Sequence, residues 1–263
     1  MQNIPVSKSG KTALDVAIHA AHEAGHVLLA NFNAEKNVQH KGKGNLVTQV
    51  DLLAEKIVME ALKKEYPDHK ILSEETNSTT NTSGYTWIVD PLDGTNNYVY
   101  NIPFFCTNIA LAHDQDILIG VTYAPMTREL FRAEKGKGAY LNDICIHISN
   151  VSSLEAAMVG FDLGYNNKQA KEMLGLTTRL REKVHCMRMI GSSSLGLAYV
   201  AAGRISLYYH RFVYPWDIAP GLLLVQEANG ITTDWESYAA TINSTQVIAS
   251  NPKLHSTFIK LTQ

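Results

Sequence analysis

Cysteine is scarce in this chain of 263 residues: Cys106, Cys145 and Cys186 are an odd number and form no C-x-x-C pair. That argues against a disulfide framework or a thiolate zinc site and for free thiols in a reducing compartment. Long apolar runs are also missing. None approaches the roughly 18 residues that a membrane-spanning helix needs, so no membrane partner is expected. Neither sign of charge dominates, since 23 Lys and Arg face 25 Asp and Glu for a net charge of −2. A dedicated nucleic-acid binder would carry a basic excess, so no nucleic-acid partner is expected either. With 45% hydrophobic residues the chain is too apolar for disorder, and its length suits one large domain or two smaller ones. The opening MQNIPVSKSGKTALD lacks the apolar core of a secretory leader, and the expectation is a cytoplasmic protein.

The pattern along the chain is mixed α and β. Apolar residues recur at helical spacing from Thr12 to Phe32, and again from Gln49 to Glu65 with Val50, Leu53, Ala54, Ile57, Val58, Ala61 and Leu62 as the inward stripe. Thr48 suits the cap of the second helix, Pro67 lies just past its end, and HKGKGNLVT before it reads as a flexible basic loop. Lys70–Leu72 and WIVD read as strands on either side of a polar surface loop, ETNSTTNTSG. FFCTNIALA, DILIGVTYA and ELFRAEK follow as antiparallel strands. Beyond about Asn150 strands (MVGFD, VHCMRM, ISLYY) alternate with helices (Lys168–Glu182, Ser193–Ala202, Asp217–Asn229), an α/β signature. A soft boundary near residue 150 divides an N-terminal α+β half, 1–150, from a C-terminal α/β half, 151–263.

The strongest chemical signal is Trp87-Ile88-Val89-Asp90-Pro91-Leu92-Asp93-Gly94-Thr95-Asn96. An apolar strand delivers Asp90 to its carboxyl end, and Pro91 holds Asp90 extended. Asp93 returns to the same side, so two carboxylates and the Leu92 carbonyl converge. Gly94 admits close backbone approach and leaves the Gly94 and Thr95 amides for an anion. Oxygen donors of this kind suit Mg²⁺. The plain alternative is an acidic turn capping a helix. Ser73-Glu74-Glu75-Thr76 places an acidic pair after a short strand, which alone would be solvated surface. Trp216-Asp217-Ile218-Ala219-Pro220-Gly221 puts Asp217 at a helix start, where alone it would serve the dipole. If the segments meet, their carboxylates repel one another unless cations intervene.

The chain resembles the inositol monophosphatase family, within the wider group of Mg²⁺-dependent, lithium-sensitive phosphatases that includes fructose-1,6-bisphosphatases. NLVTQVD, SEET, WIVDPLDGTNNYVYNIPFF, GKGAYLN, GSSSLGLAYVAAGR and YPWDIAPG carry the resemblance, in the family's order, from about residue 10 to 250. It implies a layered α-β-α-β-α sandwich and a homodimer. It also implies two or three Mg²⁺ ions per site, with Glu74, Asp90 and the Leu92 carbonyl as ligands of the first. Asp90, Asp93 and Asp217 would be ligands of the second, with Glu75 supporting from behind. Asp51 and Thr95 would orient and help deprotonate the attacking water, assisted by the Glu74 site. The substrate, a small phosphorylated metabolite, would meet Asp93, Gly94, Thr95, Gly191, Ser192, Ser193, His210, Arg211 and Asp217. The implied chemistry is direct hydrolysis of a phosphate monoester, without a covalent enzyme intermediate.

Three positions depart from the family pattern. Asn45 stands where a D-L-V-T run usually begins, and Ser73 where Gly usually precedes the Glu pair. His210-Arg211 stands where inositol phosphatases carry a Glu that binds substrate hydroxyls. An Arg there favours an anion, and with it a sugar bisphosphate or a nucleotide such as NADP over inositol phosphate. A non-catalytic metabolite-binding regulator is the rival from a different class, and it would lack a ligand or the Asp51–Thr95 pair. His22-Glu23-Ala24-Gly25-His26 matches H-E-x-x-H of zinc proteases, but the third-ligand extension is absent and the match reads as coincidence. GSSSLG lacks the spacing of a serine elbow or a P-loop, so Gly191–Ser193 read as pocket lining at a helix start.

Overall fold

A computed structural model describes residues 4–42, 45–76 and 82–262. Thr12 caps α1 (Ala13–Asn31), its hydroxyl accepting the Asp15 amide at 3.1 Å. The segment read as a flexible loop instead pairs with itself: β1 (Val38–Gly42) and β2 (Asn45–Thr48) form an antiparallel ribbon, the two residues between them lying outside the described residues. The ribbon runs into α2 (Gln49–Glu65), which opens on a reciprocal capping box between Thr48 and Asp51. Its buried face is Val50, Asp51, Ala54, Glu55, Val58 and Leu62, while Leu53 stays 44% exposed. Two acids thus occupy positions on the inward stripe, because each finds hydrogen-bond donors there.

Seven strands build the first sheet: β3 (Lys70–Ser73), β4 (Tyr85–Asp93), β5 (Cys106–His113), β6 (Asp116–Ala124), β7 (Glu129–Glu134), β8 (Ala139–Leu141) and β9 (Ile144–Ile146), in that spatial order. β3 is parallel to β4 and every later pairing is antiparallel. The short helix α3 (Thr95–Val99) follows β4 directly. The second sheet has five strands, β10 (Met158–Phe161), β11 (Cys186–Met189), β12 (Leu207–His210), β13 (Ile231–Thr233) and β14 (Val247–Ser250), in the order β11-β10-β12-β14-β13. Its helices are α4 (Asn167–Arg181), α5 (Ser193–Ala201), α6 (Pro215–Glu227) and α7 (Pro252–Thr262).

The three largest of four apolar clusters glue these elements into five layers. α1 and α2 pack on one face of the first sheet, burying Ala20, Leu28, Val58 and Leu62 against Trp87, Ile109 and Val121. α5 and α6 fill the middle, between Phe131 and Ala133 of the first sheet and Tyr208, Val247 and Ala249 of the second. α4 and α7 cover the far face, with Met173, Leu180 and Phe258 against Val159, Leu207 and Ile248. The layered α-β-α-β-α sandwich is the observed architecture. β8, β9, β13, β14 and α7 have no counterpart in the sequence reading; three- and four-residue strands carry too few side chains to show alternation.

The middle layer touches the first sheet most closely at Gly120 of β6, where an added Cβ would lie 2.7 Å from the Pro220 carbonyl oxygen of α6. Gly120→Ala is therefore expected to destabilise the fold by about 1–3 kcal/mol through overpacking. Urea denaturation would show it as a lower midpoint with an unchanged slope; an unshifted midpoint would mean that α6 sits more loosely than this contact requires.

Candidate active site

β4 pairs regularly with β5 up to Asp90 opposite Asn108, and then Asp93 faces Cys106. One strand spends three residues where the other spends two. This bulge reverses the alternation of sides, so Asp90 and Asp93, which a regular strand would point to opposite faces, come out on the same one. Pro91 is tolerated at the irregularity, and its carbonyl is satisfied by the Thr107 hydroxyl at 2.9 Å. Gly94 turns the chain at φ +92° into α3, and a Cβ there would meet the Phe104 carbonyl oxygen at 3.0 Å.

Asp93 then reaches across to the middle layer. Its Oδ2 accepts the Ser192 hydroxyl at 2.7 Å and the Ser194 amide at 2.8 Å, at the N-terminus of α5. Asp217, in the first turn of α6, accepts the Tyr214 amide at 2.8 Å. Glu74 follows β3, parallel to β4, which brings it to the same sheet end. Its loop is fastened by Glu55, a buried acid of α2 that accepts the Glu75 amide at 3.1 Å, the Thr76 amide at 3.2 Å and the Ser73 hydroxyl. Asp51 accepts the Thr48 amide at 2.8 Å and the Thr95 hydroxyl at 3.2 Å; that hydroxyl also lies 3.0 Å from the Leu92 carbonyl oxygen.

Glu74, Asp90, Leu92, Asp93, Gly94, Thr95 and Asp217 line one cavity of about 300 Å³. Asp51 stands behind Thr95, and Glu75 is half-buried outside the lining. Among the described residues no Lys or Arg faces this space. Burial, followed by the charges of Glu74, Asp93 and Asp217, pushes the Asp90 carboxyl well up, and Asp90 shares a hydrogen bond with Glu74. Asp217 is also pushed well up, by burial and then Asp93, and Asp93 and Asp51 are raised chiefly by burial. Among the described residues no three Asp, Glu, His or Cys side chains close around a common ion position as they stand. The crowded carboxyls favour their protonated forms, and the donors around them are hard oxygens, the Leu92 carbonyl included. That set fits divalent ions of the Mg²⁺ type, which would bind in competition with protons.

The opposite wall comes from the second sheet and α5. Gly191, Ser192 and Ser193 line the cavity, and so does His210. His210 is 3% exposed, its Nδ1 lies 3.0 Å from the Ser193 hydroxyl, and burial lowers its pKa to about 3, so the imidazole is neutral. Arg211 corrects the reading made from sequence. β12 ends at His210, and Arg211, the next residue, turns away from the cavity to pair with Glu172 of α4, its guanidinium 4.4 Å from the centre of the Trp235 ring. Asp162 and Tyr165, not singled out in the sequence, line the cavity as well. Asp162 had the same signal as Asp90, an acid at the end of an apolar strand, and Glu55 had one too, an acid four residues after Asp51 on a helix face. The H-E-x-x-H match lies on α1, remote from this cavity. His22 stacks edgewise on Tyr123 and His26 lies 3.7 Å from Glu23.

A model described as the inositol monophosphatase family matches residues 11–263. Inositol monophosphatase 2 of Solanum lycopersicum is 39% identical over 254 residues, covering 94% of this chain and 96% of its own. Nus factor SuhB of Escherichia coli strain K12 is 34% identical over 245 residues, with 92% of each chain covered. The solved structure of an IMPase from Thermotoga maritima superposes with a TM-score of 0.88 at 32% identity, covering 94% of this chain and 95% of that one.

Two outcomes follow from this geometry. Asp90, Asp93, Asp217 and Asp162 keep their protons to higher pH when folded than when unfolded, Asp162 to about 7. In chelator the folded chain therefore binds the extra protons, and its stability falls as pH rises from about 4, the ordinary carboxylate value, through about 7, where Asp162 loses its proton. Thermal unfolding with EDTA should show a lower Tm at pH 8 than at pH 5, and added Mg²⁺ should restore more at pH 8. A Tm that rises with pH in EDTA would refute the carboxylate cluster. Arg211→Ala should leave kcat/KM unchanged for monophosphate and bisphosphate esters alike, while removing up to about 1 kcal/mol of stability. A selective loss on the bisphosphate would return Arg211 to the cavity.

Proposed function

The chain belongs to the inositol monophosphatase family, whose members hydrolyse phosphate monoesters, and from that premise we propose a Mg²⁺-dependent phosphatase acting on the monophosphate of a small polyhydroxylated alcohol, of the inositol phosphate kind. The observation that carries the reading is the cavity's charge. Glu74, Asp90, Asp93 and Asp217 line it without a Lys or Arg among the described residues. A phosphate dianion enters such a space only with cations.

Glu74, Asp90, Asp93, Asp217 and the Leu92 carbonyl would hold those cations. When bound they lower the pKa of water and neutralise the charge that develops on the departing alkoxide. The protein's own groups supply position and proton transfer. Thr95 Oγ1, hydrogen-bonded to Asp51 Oδ1, takes a proton from the attacking water while passing its own to Asp51. Burial raises Asp51 towards the proton-accepting range that a general base needs. The Gly94 and Thr95 amides meet the phosphate oxygens at the turn into α3. Glu55 keeps the Glu74 loop in place through its Ser73, Glu75 and Thr76 bonds.

The selecting wall favours a monophosphate. With Arg211 paired to Glu172 on the far side of β12, a second phosphate would meet neutral His210 and the Tyr165 phenol instead of a cation. That removes the reason to prefer a sugar bisphosphate or NADP.

Phosphate release from inositol 1-phosphate with Mg²⁺ tests the assignment. Asp93→Asn keeps an acceptor for Ser192 and Ser194 but removes the charge, and kcat should fall on the order of 10²–10³-fold. Circular dichroism should be unchanged and Tm equal or higher, since a buried repulsive charge is gone. Undiminished turnover by Asp93→Asn would overturn the site.

A further inference from the structure

Arg211, turned away from the catalytic cavity, borders a second one of about 450 Å³, formed by α4, Trp235 and Thr262 at the end of α7. Four cations and one acid line this groove: Lys168, Lys171, Arg179 and Arg211 against Glu172. The balance is the reverse of that in the catalytic cavity, where acids gather without a Lys or Arg among the described residues. We propose that the groove binds a small metabolite bearing two or more phosphate groups, at a site separate from the catalytic one. Its volume is of metabolite size.

Helical spacing builds the cationic side. Lys168, Lys171, Gly175 and Arg179 follow one another along a single face of α4. On an ordinary solvated face such cations are balanced by acids one turn away. Here the acid of the stripe, Glu172, is taken by Arg211. Among the described residues Lys168, Lys171 and Arg179 have no carboxylate partner. The three lie along roughly 16 Å of helix, at 1.5 Å per residue, which suits two anionic groups better than one. Between them sits Gly175, in the middle of α4, where glycine costs helix stability. Packing does not require it, because an added Cβ would meet nothing within 4 Å. What glycine leaves is open space over the backbone, flanked by cations. Arg211 and Trp235 close the other side. Glu172 engages Arg211 through Nη1, while its buried Nε has no acceptor among the described residues. The buried Nε1 of Trp235, beneath the guanidinium, has none either. Orphaned donors in the lining of a cationic groove point to an absent acceptor. Phosphate oxygens supply one in the planar geometry that the guanidinium fork suits.

Isothermal titration calorimetry of the whole protein tests the site, with metal removed by dialysis so that the acidic cavity repels phosphate. Sodium pyrophosphate at low salt should bind saturably, once per chain, and about tenfold more tightly than inorganic phosphate. Lys171→Gln and Arg179→Gln should each weaken it by about three- to tenfold. Glu172→Gln should tighten it, since the competing carboxylate charge is gone and Arg211 is released. Gly175→Leu covers the open backbone and should abolish binding. Circular dichroism of that variant should be unchanged and its Tm equal or higher, leucine being the better helix former. Lys56→Gln, an exposed cation on α2, controls for surface charge alone and should change nothing. Heat that never saturates, an equal loss with Lys56→Gln and Lys171→Gln, or undiminished binding by Gly175→Leu overturns the site. Because no turnover is measured, saturable binding with no phosphate release from inositol 1-phosphate would sink the phosphatase reading and leave the groove intact.

Discussion

The carboxylate of Asp93 is the joint between the two sheets, and the site depends on how it is held. It leaves the first sheet at a bulge and ends on the Ser192 hydroxyl and the Ser194 amide of α5, which belongs to the middle layer. The helix N-terminus and the two donors offset part of its desolvation, and they also fix where α5 begins relative to β4. Ser193, next in line, is thereby aimed at His210. Remove the bulge and Asp93 would point to the opposite face, with α5 left without its anchor and Asp90 without its neighbour.

Concentrating buried acids opposes folding, so the surroundings must be over-determined. Polar side chains that never touch the cavity supply this. Asn108, fully buried, accepts the Thr122 hydroxyl at 2.8 Å and donates to Ser194, whose own hydroxyl donates to the Asp217 carbonyl at 2.9 Å. One chain thus ties β5 and β6 to the starts of both α5 and α6. Glu55 does the same for the Glu74 loop, linking α2 to the end of β3. Every member of these networks is paired, which is what makes polar groups tolerable at such depth.

The helices and long strands were legible in the sequence because periodicity survives in them; α2 and β6 begin and end where their patterns do. The acid cluster was legible because each member follows an apolar strand or opens a helix. Two things were not. Alternation in three-residue strands such as β8 and β13 is too brief to read. Nor does sequence adjacency tell which of two neighbouring side chains faces a cavity. His210 and Arg211 form a single polar pair in the sequence, yet one register position sends the imidazole inward and the guanidinium outward to Glu172 and Trp235. A pair that suggested an anion subsite became a neutral one.

That division has a further consequence for how the site is built. The charged groups come largely from the first sheet and its loops, Glu74, Asp90 and Asp93, with Asp51 behind them on α2. Across the cavity stand His210 of the second sheet, Ser193 of α5, Tyr165 of the loop after β10, and one further acid, Asp162. Substitutions on the second sheet alter what lies beside the phosphate without changing the carboxylate count that the chemistry needs. A charge introduced there is opposed by the same low dielectric that raises Asp90 and Asp217, so a cation at that wall must find a carboxylate partner. Arg211 has one in Glu172, on the side of β12 away from the substrate. The pressure that gathers acids at one wall therefore leaves the facing wall polar and, Asp162 apart, without an acid of its own.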